Sequence, residues 1–177
     1  MKLDIIEKLK IPDKVALEID NHTVKVKGSK GSNEKKIFHP RVKIEKKDNS
    51  LILTAKKATK KEKTILNTLR AHLKNLMRGV DEGYEYQLKI CSGHFPMNVS
   101  VQGDELIIKN FFGEKKPRKM KIQKGVEVKI EGDIIKIIGI DIDVVSQTAS
   151  KIELTTRRTG FDRRIYQDGI WITKKAK

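Results

Sequence analysis

The chain has 177 residues, enough for one large domain or for two small ones with modest cores. A formal net charge of +16 and a pI near 9.8 demand polyanionic surroundings or severe self-repulsion. A single cysteine, Cys91, excludes an intrachain disulfide and a four-cysteine zinc site, and suits a reducing cytosol. No apolar run approaches a membrane span, and residues 1–10 are too charged for a signal peptide, so a soluble intracellular protein is expected.

Leu3, Ile6 and Leu9 lie three apart before Pro12, which predicts one or two helical turns or an ordered arm. Val15 and Leu17 alternate, as do Val24 and Val26, and Asp20-Asn21-His22 between them is turn chemistry, so a hairpin is predicted. Gly28-Ser29-Lys30-Gly31 closes it. Val42 and Ile44 form a further run, and Asp48-Asn49-Ser50 turns the chain into Leu51-Ile52-Leu53. From Lys61 to Arg78, Ile65, Leu66, Leu69, Leu73, Leu76 and Met77 make one apolar stripe at helical period. Gly79 sits where a left-handed terminator is expected, and the lysine-dense lead-in from Lys56 to Lys63 reads as a wet helix entrance.

Gly83 to Pro96 is the hinge of a duplication. Tyr84, Tyr86, Leu88 and Ile90 alternate with Glu85, Gln87 and Lys89, a strand signature. The second half then repeats the order of the first. Val99 and Val101 stand for Val15 and Leu17, Gly113 for Gly31, and Val126, Val128 and Ile130 for Val42 and Ile44. Gly132-Asp133 turns into Ile134–Ile138, Val145, Ala149 and Ile152 make a weaker helical stripe, and Ile165 to Ile172 is a closing strand. The expected fold is α+β: two tandem, structurally similar domains, residues 1–82 and 83–177, each an antiparallel sheet with one packed helix. The pattern leaves open whether strand 83–90 pairs with the first sheet or the second.

Charge is partitioned within the second half. Lys115, Lys116, Arg118, Lys119, Lys121 and Lys124 form a block without an acid from 115 to 124. Arg157, Arg158, Arg163, Arg164, Lys174, Lys175 and Lys177 form another, diluted by Asp162 and Asp168, while residues 125–153 are net acidic. One such run is ordinarily a solvated face; two in one small domain point to a polyanion. Arginine adds a planar fork suited to bidentate phosphate contact. These cations, Lys177 aside, are the candidate residues for gripping such a polyanion.

At these residues the chain resembles the large-subunit ribosomal protein six family, in its archaeal and eukaryotic branch. The resemblance rests on Ile11-Pro12, Val24–Gly28 with Lys30-Gly31, His39–Ile44, His94-Phe95-Pro96-Met97, Asn110–Lys115, Pro117-Arg118 and Asp162–Ile172. It covers nearly the whole chain. Ser29, Leu154, Phe161, Tyr166 and Trp171 depart from the family pattern; Leu154 and Phe161 remove polar groups beside the basic segment. The resemblance implies two similar α+β domains and binding to large-subunit rRNA near the sarcin–ricin loop. It further implies a place at the base of the stalk, beside neighbouring ribosomal proteins and close to where translational GTPases dock, in the cytoplasm, with no catalytic activity.

Other chemistries are weaker. Gly28-Ser29-Lys30-Gly31 lacks the spacing and the following Lys-Ser/Thr of a Walker loop, and no clear helix follows it as a KH-type loop requires; a tight turn is favoured. His22, His39, His72 and His94 show no metal-ligand spacing, so no metal or cofactor is expected. A Cys91–His94 nucleophile would need a third, orienting group. Cys91 reads as a small core residue and His94 as the residue fixing the hinge turn. The alternative to an rRNA-binding protein is a basic platform that docks acidic translation factors.

Overall fold

A computed structural model describes residues 3–20, 22–47 and 49–176. Met1, Lys2, Asn21, Asp48 and Lys177 lie outside the described residues, and with them the start of the N-terminal arm, parts of two expected turns and the last basic residue. The chain divides into two compact units, Met1–Gly83 and Tyr84–Lys177.

The first unit opens with a strand, β1 (Leu3–Lys10), where helical turns were expected. The three-residue spacing competes with a two-residue one: Ile5, Glu7 and Leu9 are the half-buried positions, while Leu3 and Ile6 stay 56% and 62% exposed. Antiparallel pairing with β6 (Ser50–Ala58) supplies backbone partners that so short a helix could not secure for itself. The central strand β6 is flanked on its other side by β5 (Lys43–Lys47), and β2 (Ala16–Asp20), β3 (Thr23–Gly28) and β4 (Gly31–Lys36) make a second antiparallel sheet. β4, Gly-Ser-Asn-Glu-Lys-Lys, has no apolar residue to announce it. It is a strand because the turn at Ser29-Lys30 sets Gly31 opposite Gly28 and returns the chain along β3.

Helix α1 (Lys60–Asp81) packs against β6 and β3. Leu66, Leu73, Leu76, Met77 and Val80 are buried, whereas Ile65 and Leu69 are half-buried at the border of the stripe. Gly79 does not terminate the helix. Val80 adds another apolar position, and the left-handed residue is Gly83 (φ 77°), whose N–H donates to Gly79 O at 3.0 Å.

Both ends of α1 are tied down by side chains. At the start, the Thr59 N–H donates to Glu62 Oε2 at 2.9 Å, the Thr59 hydroxyl bonds the same oxygen, and Arg41 Nη1 donates to Oε1 at 2.5 Å. Lys61 and Lys63 are wet as expected, but Glu62 is only 6% exposed. The Thr59 hydroxyl first, then its N–H and Arg41, lower the Glu62 carboxyl from 4.5 to about 2. At the other end, Lys30 N donates to Val80 O (2.9 Å) and Ser29 Oγ to Asp81 O (2.8 Å), filling carbonyls the helix leaves unpaired. A Cβ on Gly28 would stand 2.6 Å from Val80 O. The Gly28–Gly31 turn therefore spends two of its donors on the helix end.

The second unit repeats this order. β7 (Tyr84–Cys91) corresponds to β1, and β8 (Asn98–Gln102), β9 (Glu105–Lys109) and β10 (Arg118–Lys121) to β2–β4. β11 (Val126–Glu131) and β12 (Ile134–Gly139) stand for β5 and β6, and α2 (Ile142–Thr155) for α1. The hinge strand β7 pairs with β12, so it belongs to the second unit. Each unit thus holds two antiparallel sheets and one helix. The core gathers Tyr84, Leu88, Phe111, Ile137, Ile152 and Ile170 among others. Two features have no counterpart among the described residues of the first unit: a 3-10 turn at Phe111–Gly113, and β13 (Gly169–Lys174), which covers the outer edge of β7. β13 begins four residues later than the expected closing strand, because Ile165 is exposed and residues 165–168 form a loop. No helix among the described residues is long and apolar enough to cross a membrane.

Replacing Leu73 by Ala should cost about 2–5 kcal/mol in urea denaturation, and Leu69 by Ala less than about half of that. Because the Glu62 carboxyl is depressed on folding, its contribution is fully present above pH 4.5 and is lost as pH falls from there through about 2. Denaturation curves across that window should converge for wild type and Glu62→Gln as pH falls, and a constant gap between them would contradict this.

Candidate nucleic-acid interface

The interface is built on the segment that joins α2 to β13. Where α2 ends, the buried Thr156 donates its hydroxyl to Glu153 O (3.1 Å) and accepts from Ile170 N (3.0 Å), so one side chain joins helix to strand. At the far end the buried Asp168 accepts from His94 N at 2.9 Å and meets His94 Nδ1 at 2.5 Å. Burial alone would raise the Asp168 carboxyl; the His94 N–H and ring, with the Gly93 N–H, outweigh it and hold the group below its ordinary value. Between these anchors, Ile165 N and Tyr166 N both donate to Asp162 O, and the Asp162 carboxylate grips the Arg164 guanidinium at 2.8 Å. That bond and the Arg164 N–H lower the Asp162 carboxyl.

Eleven of the twelve candidate cations are exposed: Lys115, Lys116, Lys119, Lys121, Lys124, Arg157, Arg158, Arg163, Arg164, Lys174 and Lys175. Arg118 is the exception. Its Nε and Nη2 donate to both oxygens of Glu114 (2.8 and 2.6 Å), and Nη1 donates to Thr155 O (2.6 Å) and Arg157 O (3.4 Å). The guanidinium also lies 4.3 Å from the centre of the Phe111 ring. Arg118 thus fastens the first basic block to the second, and its hydrogen bond lowers the Glu114 carboxyl against the effect of burial. Lys119 pairs loosely with Glu105 at 3.7 Å. Lys174 and Lys175 stand apart, at the far end of β13.

The acidic stretch has its own place. β11, with Glu127 and Glu131, is the edge strand opposite β13 in the order β11-β12-β7-β13, about 14 Å away at strand spacing. Lys129 and Lys136 pair there with Glu127 (3.1 Å) and Glu131 (2.6 Å). The sheet order keeps Glu127 and Glu131 away from β13, whereas Glu153, at the other end of the acidic stretch, lies among the arginines of the loop.

A cluster of rings lies among these cations. Phe161 packs edge-on against Tyr166 (5.1 Å) and tilted against Phe112 (5.6 Å), and Arg158 lies over both Phe161 (4.2 Å) and Phe112 (4.8 Å). Together with Trp171 they wall a cavity of about 280 Å3. The interleaving of rings and arginines between Arg157 and Trp171 was a visible signal; the contribution of Phe112, from the 3-10 turn, was not. Cys91 is half-buried at the end of β7, opposite Gly169. Among the described residues no three His, Cys, Asp or Glu side chains gather as metal ligands.

A family model described as ribosomal protein L6 matches residues 11–83 and 95–169, one match in each unit. The large ribosomal subunit protein uL6 of Methanosarcina mazei is 41% identical over 176 residues, covering 99% of this chain and 100% of that protein. Its namesakes from Sulfurisphaera tokodaii and Aeropyrum pernix are 41% and 40% identical, each over 97% of this chain and over 92% and 94% of their own lengths. With the repeated topology and the basic surface, these matches lead to one conclusion: the chain belongs to the ribosomal protein L6 family, a structural and non-enzymatic component of the ribosome.

Proposed function

We propose that this chain is a structural constituent of the large subunit of the cytoplasmic ribosome and binds large-subunit rRNA chiefly through residues 83–177. One observation carries the assignment to that half. Arg157, Arg158, Arg163 and Arg164 stand exposed on a loop anchored at both ends, and Arg118 ties the exposed lysines of the first block to it, while Glu127 and Glu131 lie on the far edge strand. A-form RNA hides its base edges in a deep major groove, so shape and backbone are what such a surface meets, and lysine and arginine contacts to phosphates set register. Residues 1–82, whose lysines are spread over several strands, act in this proposal as the second domain with the smaller share of contact. Family membership supports a place near the sarcin–ricin loop and the translational GTPase-binding region, with stalk-base proteins as neighbours. The alternative, a basic platform docking acidic translation factors, requires a protein partner. Binding to deproteinised rRNA fragments separates the two.

Phosphate contacts release counterions, so affinity for rRNA must fall steeply with salt, at about 0.9 log units per contact on the duplex DNA scale. Converting Lys115, Lys116, Lys121 and Lys124 to Gln should flatten the log–log slope by roughly two to four units. The same change at Lys36, Lys43, Lys61 and Lys63 should flatten it less, and equal effects would show that net charge alone matters. Arg118→Gln should behave differently: a stability loss of about 1–3 kcal/mol in urea with the salt slope nearly unchanged. A flatter slope without destabilisation would return Arg118 to the RNA-facing set.

A further inference from the structure

Gripping phosphates requires no aromatic pocket, yet the basic loop builds one. Phe161 and Leu154 stand 39% and 57% exposed at the wall of the cavity, in a chain whose formal charge is +16. Exposed apolar side chains grouped at a concave site mark a binding surface rather than a solvated face.

The pocket is also held ready. Phe112 sits in the left-handed region (φ 49°), an uncommon and costly conformation for an aromatic residue, and one that is found at binding sites more than elsewhere. It directs one ring of the pair outward to Phe161 and Arg158, while Phe111 beside it is buried in the core. Trp171 Nε1 donates to Gln167 O at 2.9 Å, which fixes the indole plane. Arg158 lies across two rings, so the walls offer flat faces of both aromatic and guanidinium type.

We propose that this pocket takes one unpaired nucleotide of the RNA, with its base stacked on the Phe112–Phe161–Trp171 walls and its phosphate held by Arg157 and Arg163. The inference rests on the rRNA-binding function above and adds to it a single-stranded contact. Planar walls reward a planar ligand, and base–aromatic stacking tolerates any base. The arginines at the rim supply the opposite charge to one phosphate. Two carboxylates also line the cavity, but Asp168 is engaged by His94, and Glu153 accepts from Ile172 N at 3.4 Å and offers an acceptor to a base amino group. About 280 Å3 lies at the small end of ligand sites and suits one base rather than a stacked pair. Proteins that read RNA by sequence commonly do so on such splayed-out bases.

Trp171 is the only tryptophan, so its emission reports on the pocket alone. The full chain would be titrated with an RNA hairpin carrying one bulged adenosine, with the same hairpin lacking the bulge, and with deproteinised large-subunit rRNA. The bulged hairpin should quench Trp171 and bind about tenfold or more tighter than its unbulged twin. Phe161→Ala should abolish both differences and Phe161→Tyr restore them. Equal affinities with no quenching, or quenching that survives Phe161→Ala, would overturn the pocket while rRNA binding stands. Failure to bind any of the three RNAs would remove the rRNA function and the pocket with it. Quenching by a glutamate- and phenylalanine-containing peptide, but by no RNA, would overturn the proposal in favour of a protein partner.

Discussion

The basic surface of the second unit depends on two buried polar side chains. Thr156 and Asp168 bracket the loop from Arg157 to Gln167, and each satisfies groups distant in sequence. A carboxylate buried without partners is costly, and Asp168 is met by the backbone and ring of His94 and by the Gly93 N–H. That contact joins the connection after β7 to the start of β13. Without it the arginines would ride on a loose coil, and in the proposed rRNA complex each would lose side-chain and backbone freedom on meeting a phosphate. Anchoring moves that entropic cost from binding to folding.

Arg118 shows why charge along a sequence is an incomplete guide to charge available to a ligand. By composition it is one of six cations in an acid-free block, yet its donors are turned onto Glu114 and two backbone carbonyls. A planar fork that can bind a phosphate bidentately binds a carboxylate equally well. Lysines in the same block, compact charges on flexible stems, remain on the surface.

How much could be read from the sequence followed burial. β7, β3, β6 and β12 each bury one face of a sheet, and α1 buries one stripe, so their apolar periods were plain. β4 is polar throughout, and only the turn before it makes it a strand. β1 carries two periods at once, and the partner strand, absent from any local window, decides between them. Gly79 and Gly83 are both glycines near a helix end, but the backbone turns left-handed at the second, after Val80 has been buried. The site divides similarly. Its cations are evident from composition, whereas the loop's own rings, interleaved with the arginines, go unread when charge alone is followed. The pocket is not evident either, because Phe112 comes from a turn between β9 and β10 and meets Phe161 only once the unit has folded.

The lysines of the first unit acquire a purpose from the sheet order. β1 and β5 are the two rims of their sheet, with no strand beyond them among the described residues. Such rims invite pairing between molecules. Lys8 and Lys10 lie along one, and Lys43, Lys46 and Lys47 along the other, where like charge repels a second copy. In the second unit, β13 pairs along the corresponding rim of β7 instead. In the first unit, the same excess of charge that suits a polyanion also sets like charges along the open rims of a sheet.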